Sequence, residues 1–539
     1  MKKTDWLILL FIILTSAYAL KDLFLPGFYT SHDGPHQIVR FYYFDRLLRE
    51  GQFPPRWAGG LNYGFGYPLF IFSYQLPWYI AEIFRSLNFS VIDSVKFTFL
   101  AGFILSGITM YWFLRSISGR LAAFTGTILY LYAPYRFSNI FVRAAIGDAT
   151  AFIFIPMIFL SAVKIRQKKN ILLWIALYAL SLTGLLLSHA MIFFLVMFAF
   201  IPFMLISLRR KKIGRLIIYH LSAFCLFTGL SAYYLLPSFI ERSYTKFNAV
   251  MGAAFTGNTF VSLKNLLYSP WGYGMMKAAE GGMSLQIGSG QWLALVLAAV
   301  FISFKRLRLT LFFTAAFVLS VFMMQKESLF LWESIQELAV IDFTWRILVV
   351  SVFSAAVLAA LAVNRFKNKK IALILSFMLM VLTFYSNRNH LRVNESLAWD
   401  LPFFLALEKT TNSFDEYTPR WVNPELVREK APDWEYEGEI SGKITTDRSA
   451  FWQAEVDTSR AGIIRLKKLY YPGWQVEVNG RPADINYRDR GLIEVALPEG
   501  ESVITARFTS TPLRQFADIL SFLSIILTGG LIYYGKKQT

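Results

Sequence analysis

Apolar runs of about 18 residues recur along this chain, each long enough to cross about 30 Å of hydrocarbon as a helix. Inside a bilayer no water satisfies exposed peptide groups, so such runs must close their hydrogen bonds internally. That restricts the fold to a bundle of helices. The runs fall at about 5–22, 95–114, 120–134, 147–163, 171–188, 190–208, 216–237, 291–304, 310–324, 345–363, 371–386 and 514–534, which predicts about twelve spans. A hydrophobic fraction of 55% and a mean hydropathy of +0.45 agree.

The net charge of +19 suggests a polyanionic partner until its distribution is examined. Lys2-Lys3, Arg115/Arg120, Lys164-Arg166-Lys168-Lys169, Arg209-Arg210-Lys211-Lys212-Arg215, Lys305-Arg306-Arg308, Arg365-Lys367-Lys369-Lys370 and Lys536-Lys537 hold 22 of the 54 basic residues. The remaining 32 are nearly matched by 34 acidic residues. The clusters all fall on one side if both termini are cytoplasmic, which is the positive-inside pattern of an inner (plasma) membrane protein. They suit anionic membrane lipid and require no nucleic acid. One cysteine, Cys225, excludes a disulfide framework.

This parity puts four regions outside: loop one (23–94), a short loop at about 135–146, a segment at 238–290 and the stretch 387–513. The expected organisation is a multi-span domain over 1–386, an extracytoplasmic β-rich domain over 387–513, and a last span with a basic cytoplasmic tail over 514–539. Lys2-Lys3 before an apolar run ending in Ala17-Tyr18-Ala19 resembles a signal peptide and is expected to remain as an uncleaved anchor. Pro68–Leu87 is apolar but holds Gln75, Glu82 and Arg85, so it is expected at the interface or re-entering rather than crossing. Trp474–Val478, Gly491–Val495 and Val503–Phe508 alternate, and Asn479-Gly480 is a hairpin turn, which predicts a small antiparallel β-sandwich.

Loop one carries the densest chemistry: His32, Asp33, His36, Arg40, Arg56 and Trp57. Asp33 has three open roles: general base, metal ligand, or N-cap of a helix beginning at Gly34-Pro35. Other ionisable groups sit at the outer ends of spans: Arg136, Arg143, Asp148, His189 and Arg346. Groups at membrane depth tend to be functional, although Arg and Trp at span ends also serve as interfacial anchors. Five of them, Asp33, Arg143, Asp148, His189 and Arg346, are expected at one surface, where they would bind a phosphate head group and position a base. No Walker, dinucleotide, H-E-x-x-H or C-x-x-C pattern is present.

His32-Asp33-Gly34-Pro35-His36, Tyr42–Arg46, Gly51–Trp57, Gly64–Pro68, Tyr132–Arg136, Val142–Ala145 and Ser188-His189 resemble a bacterial and archaeal membrane family described as related to 6-pyruvoyl-tetrahydropterin synthase. That family usually has Glu where this chain has Asp148. Tyr470–Trp474 and Asp342–Arg346 look like YfhO-type membrane proteins. The pterin-synthase description implies little, because that soluble enzyme holds zinc through histidines and the five His here form no matching cluster. The layout as a whole is similar to C-type (GT-C) glycosyltransferases, with many spans, a large first outer loop carrying an acidic residue, and an outer C-terminal domain.

The resemblance implies transfer of a sugar from a polyprenyl-phosphate donor to an extracytoplasmic glycan, lipid or protein. Asp33 would be the general base. His36, Arg40, Arg56, Trp57, Arg143, Asp148, His189 and Arg346 would bind substrate or carrier phosphate, with Tyr63 and Tyr67 stacking on sugar. Mg2+ or Mn2+ at Asp33 is the one cofactor this leaves open. The alternative is a carrier, flippase or assembly factor for lipid-linked glycans. A transporter places its polar groups near mid-membrane in broken helices, whereas these gather at one surface, which favours the enzyme.

Overall fold

The computed structural model describes residues 3–167, 169–207, 213–251, 259–275, 282–302, 304–335, 337–338, 341–407 and 409–537. Lys2, Lys168 and Arg209–Lys212 of the basic clusters lie outside the described residues. Each of the twelve apolar runs is helical over most of its described residues. Among the described residues, seven helices are long and apolar enough to cross a membrane: Val91–Ile117, Ile146–Arg166, Ile171–Ser188, Ile213–Tyr244, Thr344–Arg365, Lys369–Ser386 and Pro512–Lys537. An eighth forms if Leu307–Met323 is joined to Lys326–Ser334 across a 92° bend. Arg120–Leu131 and Ser289–Val300 have twelve residues each, a rise of about 18 Å, short of the hydrocarbon thickness. The sequence count of about twelve full crossings therefore exceeds what helix length supports. The protein is a multi-pass membrane protein.

Thr344–Arg365 is the centre of the bundle, with 94% of its apolar window buried. Its small residues let neighbours approach closely. At Gly126 an added Cβ would lie 2.5 Å from the Ala356 carbonyl oxygen, so this crossing requires glycine. The helix Lys3–Ala19 is fastened into the bundle by Asp5, which accepts from the Tyr111 hydroxyl at 2.8 Å and from Arg120 Nε at 3.0 Å.

Loop one is mostly helical. Gly34–Arg49 is a sixteen-residue helix. Pro68–Leu87 divides into Leu69–Phe72 and Leu76–Ser86. The second piece rises about 16 Å, too little to cross. A short ribbon, β1 (Phe28–Tyr29) with β2 (Ser396–Leu397), ties the start of loop one to the chain after Lys369–Ser386.

The C-terminal third is the β region: β3 (Trp434–Tyr436), β4 (Ile440–Arg448), β5 (Phe451–Thr458), β6 (Gly462–Leu469), β7 (Trp474–Val478), β8 (Arg481–Ala483), β9 (Leu492–Leu497) and β10 (Gly500–Phe508). One antiparallel sheet has the order β4-β5-β10-β7-β8 and the other β3-β6-β9. Alternation builds the core: along β5, Trp452, Ala454 and Val456 are buried while Glu455 and Asp457 are exposed. Asn479 and Gly480, with φ of 52° and 74°, make the β7–β8 turn. The apolar core of the sheets continues into loop one through Trp57, Phe65, Ile71 and Phe72, so the β region is seated directly on it.

Candidate functional site

Asp33 occupies the N-cap position of Gly34–Arg49, yet its side chain makes no capping hydrogen bond. The backbone explains why the helix starts there anyway. His32 and Asp33 donate their amide hydrogens to the carbonyls of Val142 and Arg143, each at 2.9 Å, and Pro35 pre-sets the first turn. The carboxylate is left half-buried, with no hydrogen bond or ion pair among the described residues.

That carboxylate lines a cavity of about 660 Å³. His36, Arg40, Arg143, Asp148, His189 and Arg346 line the same cavity. Seven of the nine sequence-selected site residues thus meet in one place, drawn from loop one, the 138–148 turn, the 188–190 break and the start of the central helix.

Asp148, fully buried, meets Arg143 Nη1 at 2.8 Å through Oδ2, and its Oδ1 lies 3.4 Å from His189 Nε2. Arg143 also donates to Asn139 Oδ1 at 2.7 Å. Burial pushes the Arg143 guanidinium down, but the carboxylates of Asp148 and Asp33 outweigh it and hold Arg143 protonated. At His189 burial dominates, opposed by Asp148 and reinforced by Arg346 and Arg143, and lowers the imidazole to about 4. It is neutral at physiological pH. Arg346 reaches Asp342 at 3.3 Å. Asp148 Oδ1, His189 Nδ1, Arg346 Nε, Asp342 Oδ1 and Trp345 Nε1 are buried without a hydrogen-bond partner among the described residues. All five residues line the cavity, so its wall carries polar atoms that no other described protein group occupies with a hydrogen bond.

Arg56 and Trp57 are placed elsewhere. Arg56 Nη2 pairs with Asp518 at 2.6 Å and Nη1 with Ser510 at 3.1 Å, which joins loop one to the last helix. Trp57 is fully buried against Trp474 and Phe508, with ring centroids 5.7 and 5.2 Å away. Tyr67 is also buried, accepting from the Tyr417 amide at 2.9 Å. Neither Tyr67 nor Tyr63 lines the cavity. Arg40 lines it but spends its fork on Thr411, donating from Nε to Oγ1 at 3.0 Å and from Nη2 to the carbonyl oxygen. Residues that sequence reasoning missed include Asp342, Asn412 and Glu416. Asp342 had a signal, since it stands four residues before Arg346.

No group of three or more His, Cys, Asp or Glu that could hold a metal ion occurs among the described residues. Asp148 and Asp342 each face an arginine instead.

No family model and no curated protein matches the chain. Solved structures do. The arabinofuranosyltransferase AftD from Mycobacteria aligns with 75% of this chain and 28% of its own, at 10% identity and a TM-score of 0.50. The oligosaccharyltransferase AglB from Archaeoglobus fulgidus, in complex with an inhibitory peptide and a dolichol-phosphate, aligns with 72% of this chain and 55% of its own, at 13% identity and a TM-score of 0.47. The chain spans less than a third of the first and about half of the second. Over the aligned part, the fold is similar to that of the arabinofuranosyltransferase AftD. The narrower likenesses to the pterin-synthase-related and YfhO-type families rest on the sequence motifs alone.

Proposed function

We propose that this protein transfers a glycosyl unit from a polyprenyl-phosphate carrier to an extracytoplasmic acceptor: a glycan, lipid or protein. The observation that carries this reading is the pairing, in one cavity, of an unengaged carboxylate, Asp33, with an arginine, Arg346, whose Nε is unused. A base and an anion clamp are the two groups that displacement of a phosphate leaving group demands.

Asp33 takes the proton from the acceptor hydroxyl. The acceptor oxygen forms a bond to the anomeric carbon as the bond from that carbon to the phosphate oxygen breaks. The electron pair leaves on the carrier phosphate, whose charge Arg346 and Arg143 stabilise. Asp148 fixes Arg143, and neutral His189 offers a hydrogen bond without adding charge. The positive-inside clusters support a plasma-membrane location with both termini cytoplasmic and the cavity at the outer surface.

The test is an Asp33→Asn variant in cells lacking the native protein. Loss of the envelope glycan modification with normal insertion supports the reading, and full modification overturns it.

A further inference from the structure

The wall of the cavity opposite in character to its cationic residues comes from a short loop after the last-but-one span. Thr411, Asn412, Ser413, Phe414 and Glu416 line the cavity. We propose that this loop reads the hydroxyl groups of the transferred glycosyl unit, with Glu416 making the contact and Arg40 acting as a positioning residue that holds the loop in place. This rests on the glycosyl-transfer reading above.

The loop is held at both ends and in the middle. Asn62 donates its amide hydrogen to the Lys409 carbonyl at 2.7 Å, and the Tyr417 amide donates to the Tyr67 hydroxyl. Between them Arg40 grips Thr411 through its side chain and its carbonyl. Thr410 hydrogen-bonds Asp415 across the turn. Thr411 has a φ of 63°, in the left-handed region that a β-branched residue avoids. Strain of this kind persists only where surrounding contacts over-determine it, and it concentrates at binding sites.

The fixed loop presents a specific set of groups. Glu416 Oε1 accepts from Asn412 Nδ2 at 2.5 Å, while Oε2 is buried with no partner among the described residues. A carboxylate repels a phosphate but accepts strongly from hydroxyl donors. The cavity is thus divided by chemistry. Arg143 and Arg346 suit the phosphate, and the Asn412–Glu416 pair suits a polyhydroxylated ring. A buried acceptor left unpaired by the wrong ligand is also what gives hydrogen-bonding sites their discrimination.

The test uses the full-length protein in lipid nanodiscs, titrated with farnesyl phosphate and with its glucosyl, mannosyl and arabinofuranosyl esters. The wild type is expected to bind one ester preferentially. Glu416→Gln should lower the affinity for that ester about tenfold while leaving farnesyl phosphate within about twofold. Arg40→Lys, which keeps the charge but loses the fork, should produce the same selective loss; equal loss of farnesyl phosphate would make Arg40 a phosphate ligand and overturn its role. A wild type that binds all esters alike, or a Glu416→Gln variant that weakens every ligand equally or none, overturns the proposal. If farnesyl phosphate itself fails to bind, or binds independently of Arg346→Ala, the phosphate reading fails and this one falls with it.

Discussion

Arg143 and Asp148 face each other across the 138–148 turn, with Nη1 2.8 Å from Oδ2 and the guanidinium carbon 4.6 Å from the centre of the Trp345 ring. Both side chains are buried. Asp148→Asn removes the carboxylate that Arg143 is bonded to and leaves it only the more distant charge of Asp33, at a cost of about 3 kcal/mol, the low end for a broken buried pair. Thermal unfolding in detergent should show a marked drop. Arg143→Met combined with Asp148→Leu should recover part of it, because no unpaired charge then remains.

Asp33→Asn should behave in the opposite way. The side chain caps nothing, so its loss of charge should leave the melting temperature nearly unchanged. Glycosyl transfer should fall about 10²–10⁴-fold, the contribution of a general base. A parallel loss of stability and activity would mean the carboxylate is structural.

Arg346→Lys keeps the charge but removes the planar fork and the unused Nε. Charge-assisted hydrogen bonds contribute about 1.5–3 kcal/mol, so prenyl-phosphate affinity should fall about 10- to 100-fold. Isothermal titration with and without the carrier chain would separate phosphate binding from lipid partition.

His189 gives a pH signature. Its imidazole is lowered from 6.5 to about 4 in the folded state, by burial against the opposing pull of Asp148. The unfolded chain therefore binds the extra proton first, and stability rises with pH between about 4 and 6.5. Above that window the imidazole is neutral in both states and contributes no slope. The melting temperature of the wild type should fall more steeply than that of His189→Gln as pH drops through the window. Identical slopes would place the imidazole in water.

Arg514 forks onto Glu241 at 2.8 and 2.9 Å, with both side chains buried. The pair ties the start of the last helix to the end of Ile213–Ile240, next to Tyr471 of the β region. Glu241→Gln should cost about 3–5 kcal/mol and raise protease sensitivity within residues 434–508 at unchanged membrane insertion.

The helices were legible from apolar length, and the expected parity grouped Asp33, Arg143, Asp148, His189 and Arg346 together, as the cavity does. The strands β7, β9 and β10 were legible from alternation. What parity does not carry is pairing across the chain. Arg56 looks like a ligand in the sequence because Asp518, 462 residues away, has no signal linking the two. Trp57 is occupied by Trp474 and Phe508 for the same reason. Glu416 stands in a stretch without periodicity or motif, and only the fold brings it to the cavity.

Arg40 and Thr411 are 371 residues apart in the chain. Asp33, Arg143, Asp148, His189 and Arg346 are all synthesised by residue 346, but the wall that Arg40 fastens follows the helix Lys369–Ser386. A nascent chain therefore carries the charged half of this cavity without the loop for the 65 residues from Arg346 to Thr411. Completion of the cavity is therefore a late event in the folding of the chain, because Thr411 to Glu416 follow every other residue that lines it.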